Sequence, residues 1–102
     1  MIYSYAEYVL LFKALADETR LKILETLSCD EMCACKILEG FEITQPTLSY
    51  HMKILTECGL VDSRRDGSWM KYKLNKERFD QVKEFWDTFS VHLEECISNK
   101  LK

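Results

Sequence analysis

The chain has 102 residues, 47% hydrophobic and 30% charged, which fits one small globular domain and excludes a disordered chain. No apolar run approaches the roughly 18 residues of a bilayer span, and the opening MIYSYAEYVLLFKALADE has neither a basic n-region nor a small-residue cleavage site, so a cytoplasmic protein without membrane contact is expected. The formal charge of −3 disfavours a uniformly basic binder of nucleic acid, but the charge is uneven: Thr44 to Arg78 holds seven Lys/Arg against four Asp/Glu, and the rest holds seven against thirteen.

From Ile2 to Ala16, Tyr5, Val9, Phe12 and Leu15 or Ala16 recur at helical spacing, with Tyr8 and Leu11 widening the stripe. Asp17 is a suitable N-cap for a second helix, with Glu18 in its first turn and Leu21, Leu24 and Leu27 as its apolar face. Asp30 is expected to cap a short third helix through Leu38, with Gly40 as a left-handed stop. Thr44 and Pro46 then open a fourth helix, Gln45 to Cys58, whose inward face is Leu48, Met52 and Leu55.

Leu60 to Arg65 reads as a strand, Asp66 and Gly67 as a tight turn, and Trp69 to Leu74 as the returning strand. Asn75 caps a last helix in which Phe79, Val82, Trp86, Phe89, Leu93 and Cys96 follow spacings of three and four. A domain this small has a thin core, so a seam of that kind points to a second subunit, with Tyr5 and Phe12 of the first helix joining it. The expected fold is mainly α with a β-hairpin: a single winged helix-turn-helix domain over residues 1–102, with about five helices and a two-stranded wing, as a homodimer.

In such a fold Gln45, Thr47, Ser49, Tyr50, His51 and Lys53 are candidates to meet a DNA major groove, and Arg64, Arg65 and Lys71 to hold phosphates. A plain solvated helix beside an ordinary hairpin is the alternative, but it leaves the basic bias and the order of elements unexplained. Five cysteines, at 29, 33, 35, 58 and 96, are an odd number that favours thiols that bind or react over a disulfide framework. Cys33 and Cys35 bracket Ala34, and thiolates without a nearby histidine select thiophilic ions. On a regular helix, residues two apart project about 200° from each other, so both sulfurs can hold one ion only where the turn is distorted or not helical.

Taken together, LFKALADETRLKILETLS, EMCAC, TQPTLSYHMKILTECGLV and RRDGSWMKYKLN resemble the arsenical-resistance repressor family of ArsR/SmtB-type metal sensors over nearly the whole chain. The resemblance implies a homodimeric repressor, not an enzyme, that binds an inverted-repeat operator when metal-free and leaves it on binding As(III) or Sb(III), with Cd(II) or Pb(II) as alternatives and no permanently bound cofactor. It maps the metal motif onto Cys33 and Cys35 after Glu31. Where some members carry a further cysteine this chain has Ile37 and Leu38, which leaves Cys29 as the nearest third ligand, with Cys58 and Cys96 read as packing residues. His92 and Glu95 match half of another branch's site between the last helices, but Phe79, Gln81 and Val82 stand where the other half belongs. Two competing readings are a thiol-oxidation-sensing repressor of the same fold and a small redox protein that uses the cysteine pair.

Overall fold

The computed structural model describes residues 4–101, and the side chains of residues 4–97. Ser4 starts the chain's first element with a reciprocal capping box: its hydroxyl accepts from the Glu7 N–H, and the Glu7 carboxylate accepts from the Ser4 N–H at 2.8 Å. Helix α1 (Tyr5–Leu15) follows; Ile2, in the expected first helix, lies outside the described residues. Tyr8, Leu11 and Ala14 are buried while Tyr5 and Val9 are exposed, so the stripe expected to face inward is split between the core and the surface.

Asp17 caps α2 (Glu18–Thr26) by accepting from the Arg20 N–H at 3.0 Å. The buried face of α2 is Ile23 and Leu24, with Leu27 beyond its end, whereas Leu21 is 52% exposed and is no core residue. Thr44 caps α4 (Gln45–Glu57), with Pro46 in the first turn where a missing N–H is harmless, and Leu48, Met52 and Leu55 are buried as expected. Asn75 accepts from the Arg78 N–H at 3.0 Å and opens α5 (Lys76–Leu101).

The segment before α4 differs from expectation. Instead of one helix starting at Asp30, Met32–Cys33 form a short strand, β1, and only Ala34–Glu39 form helix α3. Asp30 accepts from the neighbouring Glu31 N–H and caps nothing further along. A six-residue helix is marginal alone, and antiparallel pairing of β1 with the wing gives the preceding backbone partners that another helical turn would otherwise supply. Gly40 stops α3 at φ −91°, so it is not left-handed; the left-handed stop is Gly59, φ 84°, after α4.

The wing is β2 (Val61–Asp66) and β3 (Trp69–Leu74), and with β1 it makes a three-stranded antiparallel sheet in the order β1-β3-β2. Asp66 pairs with Trp69, so the turn is Gly67–Ser68, one residue later than expected, with Gly67 at φ 63°. Ile23, Ile37, Leu48, Met52, Leu55, Leu60 and Val61 form the dry centre under α4 and the root of the wing. Phe85, which the last-helix seam passes over, is buried against Tyr8 with ring centroids 4.1 Å apart and fastens α5 to α1. Beyond it α5 runs out from the core, which accounts for a long axis of 62 Å against 25 and 24 Å.

At Gly59 an added Cβ lies 2.7 Å from the Arg78 Nε. The guanidinium can swing away, but the left-handed backbone remains. Gly59→Ala is expected to destabilise the fold by about 1–2 kcal/mol, read as a lower urea midpoint at constant slope; an unchanged midpoint would show that this turn is not strained for L residues.

Candidate functional site

Cys33 is at once the last residue of β1 and the N-cap of α3, with extended dihedrals of φ −76° and ψ 154°. Cys35 sits in the first turn of α3. The change from strand to helix removes the splay that a continuous helix imposes on this spacing: the Cα atoms are 5.4 Å apart and the two sulfurs are joined as a disulfide. Both residues are half-buried.

The other thiols stay apart. Cys29 is exposed on the wall of an open cleft of about 620 Å³ that Glu31, Lys73 and Lys76 also line. Cys58 donates to the Leu55 carbonyl at 3.3 Å and lies partly buried against the core, whereas Cys96 is exposed on α5 and packs into no seam among the described residues. Among the described residues no three His, Cys, Asp or Glu side chains converge as a metal site, so Cys29 does not join the pair in this arrangement. His92 and Glu95 are both exposed on α5.

The cysteine junction is attached to the wing. Cys33 pairs with Lys71 and Met32 with Tyr72 across β1 and β3. Just upstream, the Glu31 carboxylate accepts from Arg64 Nε at 2.9 Å and Nη2 at 2.7 Å, a fork that reaches from β1's approach to β2. The Arg64 bond, more than any other influence, holds the Glu31 carboxyl below the usual glutamate range. Lys71 binds Asp66 at 2.9 Å and lowers its carboxyl likewise. Two cations expected on phosphates thus already have carboxylate partners, while Arg65 is exposed. Glu31 and Arg64 lie 33 positions apart, and no local spacing in the sequence connects them.

On α4, Gln45, Thr47, Ser49, Tyr50 and Lys53 are all exposed on the side away from the core. Thr44 caps with its hydroxyl and donates to the Thr47 hydroxyl at 3.0 Å. His51 departs from the expected set of DNA contacts. It is 8% exposed, and its Nδ1 lies 3.1 Å from Arg20 Nη1. It follows Leu48 by three residues and precedes Met52 and Leu55, a spacing that already belonged to the buried face.

A third surface is apolar. Trp86 and Leu93 are each 63% exposed, and Phe89 and Ile97 extend that face of α5, with Tyr5, Val9 and Leu10 exposed on α1. Phe12, Phe79 and Val82, expected at the same seam, pack partly on the chain's own core, and Tyr5 meets Phe85 edge-on at 6.4 Å. So much uncovered large apolar surface marks an interaction face.

A helix pair whose second member presents polar side chains outward, followed by a hairpin carrying Arg and Lys, defines a winged helix-turn-helix DNA-binding protein. Residues 17–63 match the family model described as bacterial regulatory protein, arsR family. An arsenical resistance operon repressor from Staphylococcus xylosus is 41% identical over 97% of this chain and 95% of its own length. An ArsR-like transcriptional regulator from Rhodococcus sp. RHA1 shares the fold at a TM-score of 0.81, 24% identical, over 92% of this chain and 89% of its own. A homodimeric winged helix-turn-helix domain from Mycobacterium bovis, a possible ArsR-family regulator, is 26% identical with a TM-score of 0.69, over 88% and 84%. The chain belongs to the arsR family of bacterial regulatory proteins, and it is a DNA-binding transcriptional regulator rather than an enzyme. Among the described residues no helix is long and apolar enough to cross a membrane.

The lowered Glu31 carboxyl gives the wing attachment a pH dependence of definite sign. A depressed carboxylate pKa stabilises the fold above the unfolded-state value and ceases to do so as pH falls through the folded-state value. In an NMR pH titration Glu31 is expected to titrate below the usual glutamate range, and Arg64→Ala to move its midpoint upward, since the Arg64 bond is the largest of the influences that lower it. A Glu31 midpoint that Arg64→Ala leaves where it was would remove Arg64 as the cause.

Proposed function

We propose that the chain is a repressor that holds operator DNA as a homodimer and leaves it when arsenite or antimonite binds at Cys33 and Cys35. The observation that carries the reading is the junction itself: two sulfurs brought together where a strand of the wing sheet becomes the helix preceding α4. A donor set of two thiols with no histidine suits a soft, thiophilic ion, with Cd(II) and Pb(II) next in order and hard oxygen-seeking ions disfavoured. Likeness to a staphylococcal arsenical resistance operon repressor over almost the full length supports arsenic as the inducer. Cys29, four residues before Cys33, is the proposed third ligand and needs movement of the exposed 28–30 segment to reach the ion.

The DNA-holding state uses Gln45, Thr47, Ser49, Tyr50 and Lys53 on base edges and phosphates, with Arg64, Arg65 and Lys71 on the backbone beside them. Pairing through Trp86, Phe89 and Leu93, with Tyr5 and the half-covered Phe12, Phe79 and Val82, sets two α4 helices against an inverted repeat, about one DNA turn or 34 Å between half-sites. The likeness to a homodimeric domain of the same fold supports this pairing. An inducer acts only through its different affinity for two states. Ligation needs the reduced pair, its S–S bond opened beforehand by a thiol reductant that is itself oxidised to a disulfide; holding both thiolates on one ion then fixes the junction in a geometry other than that of the free dithiol, shifts β1 against β3 and the wing with it, and lowers DNA affinity. These steps deserve no separate motor: ligand energy and wing position share the Cys33 backbone.

A second reading, a repressor that senses thiol oxidation, is favoured by the joined sulfurs of Cys33 and Cys35. The two readings separate in a mobility-shift titration on DNA from upstream of the chain's own gene. Under the proposed function, arsenite releases the reduced wild type, Cys33→Ser and Cys35→Ser stay bound at all arsenite concentrations, and Cys29→Ser needs at least about tenfold more arsenite, the loss of one strong ligand contact. Release by a hydroperoxide but not by arsenite would favour the oxidation reading, and arsenite release of the serine variants would overturn both. Affinity is also expected to fall by roughly a thousandfold between about 50 and 200 mM salt if some six phosphates are neutralised; affinity indifferent to salt would exclude the proposed phosphate contacts.

A further inference from the structure

The one buried polar side chain of the described core is His51 on the recognition helix, 8% exposed. Arginine has no acceptor atom, so the 3.1 Å approach of Arg20 Nη1 to His51 Nδ1 is a hydrogen bond only if the guanidinium donates and Nδ1 carries no proton. The ring is then neutral, with its proton on Nε2. The same guanidinium donates from Nε to the Ala14 carbonyl at 2.7 Å and from Nη2 to the Lys13 carbonyl at 3.4 Å. Arg20 therefore gathers two C-terminal carbonyls of α1, its own helix α2, and α4 into one knot. Asp17 Oδ2, which caps α2 through the Arg20 N–H, stands 3.9 Å from the same His51 Nδ1. At that distance, and against a neutral ring, it is a waiting partner and not an ion pair.

We propose that His51 is a positioning residue for DNA binding, orienting the recognition helix through its unprotonated Nδ1, so that protons act as a second effector that weakens DNA binding. The charged groups facing the ring are Arg20 and Asp17 of α2; α1 contributes carbonyls through Arg20, and on α4 the neighbouring aromatic ring is Tyr50, 5.2 Å away. A proton on Nδ1 removes the acceptor, sets two cations against each other and turns the ring toward Asp17, in competition with the α2 cap. Tyr50, exposed and next to His51 in sequence, is among the residues offered to DNA, so a turn of α4 at His51 moves the contact surface directly. This inference stands apart from the cysteine site: it concerns the DNA-holding state alone, with no metal or oxidant present.

The test is fluorescence anisotropy of a labelled duplex, from upstream of the chain's own gene, at fixed ionic strength between about pH 8 and pH 5.5, where histidines change charge. Wild-type affinity is expected to fall by about tenfold or more across this range, the scale of one hydrogen bond to a charged group. His51→Asn places an amide oxygen near the Nδ1 position and cannot take up a proton, so its affinity should stay level across the same range, while His51→Ala should bind more weakly throughout. His92→Asn removes the only other histidine of the chain and should keep the wild-type profile. Parallel profiles for wild type and His51→Asn, or a level profile for His92→Asn, would overturn the proposal. Should the His51 variants fail to fold, nitrogen NMR of the wild-type ring decides: Nδ1 bare and Nε2 protonated at about pH 8 is required, and a proton on Nδ1 there would exclude the knot as drawn.

Discussion

Cys33 satisfies two structural demands with one pair of dihedrals. Its extended backbone completes the β1 edge against Lys71, and the same conformation is the one an N-cap needs to start α3. No side-chain hydrogen bond assists this cap. The start of α3 therefore depends on the strand pairing, and the strand pairing depends on the helix beginning immediately after it. Moving Cys33 away from β3 would remove both supports together.

That constraint changes how a sensor at this place reaches DNA. A cysteine pair inside a helix would act on the recognition helix through packing alone. Here the nearest neighbour is the wing: Met32 and Cys33 lie beside Tyr72 and Lys71, and Glu31 holds Arg64 one strand further across. The recognition helix has a further hold of its own in the Arg20 and His51 knot, besides the dry face of Leu48, Met52 and Leu55 that it shares with Ile37 of α3. Wing and helix are thus held from different points of one small core, and under the proposed function an effector at either would lower the affinity that both together provide.

Much of this was legible in the sequence because local signals carried it. Asp17, Thr44 and Asn75 cap as their residue types demand, and the three-and-four spacing of Leu48, Met52 and Leu55 placed the recognition helix. The failures share a cause: each was decided by a partner distant in the chain. Met32 and Cys33 became a strand because β3 offers an edge some 40 positions later. Phe85 is core because Tyr8 stacks on it, although the stripe of Trp86, Phe89 and Leu93 beside it is exposed. Arg64 is bound by Glu31, and Arg20 finds His51, with no repeat or spacing to announce either. His51 alone was readable, since its position among Leu48, Met52 and Leu55 outweighed its polarity.

The central claim is that ligation at Cys33 and Cys35 acts on DNA by disturbing the pairing of β1 with β3. Hydrogen–deuterium exchange of the reduced protein, with and without arsenite, measures that pairing directly. Arsenite is expected to reduce protection of the backbone amides in 32–33 and 71–72 while those in the centre of α4 keep theirs. Unchanged exchange across the β1–β3 pairing, under arsenite that fully releases the DNA, would contradict the account.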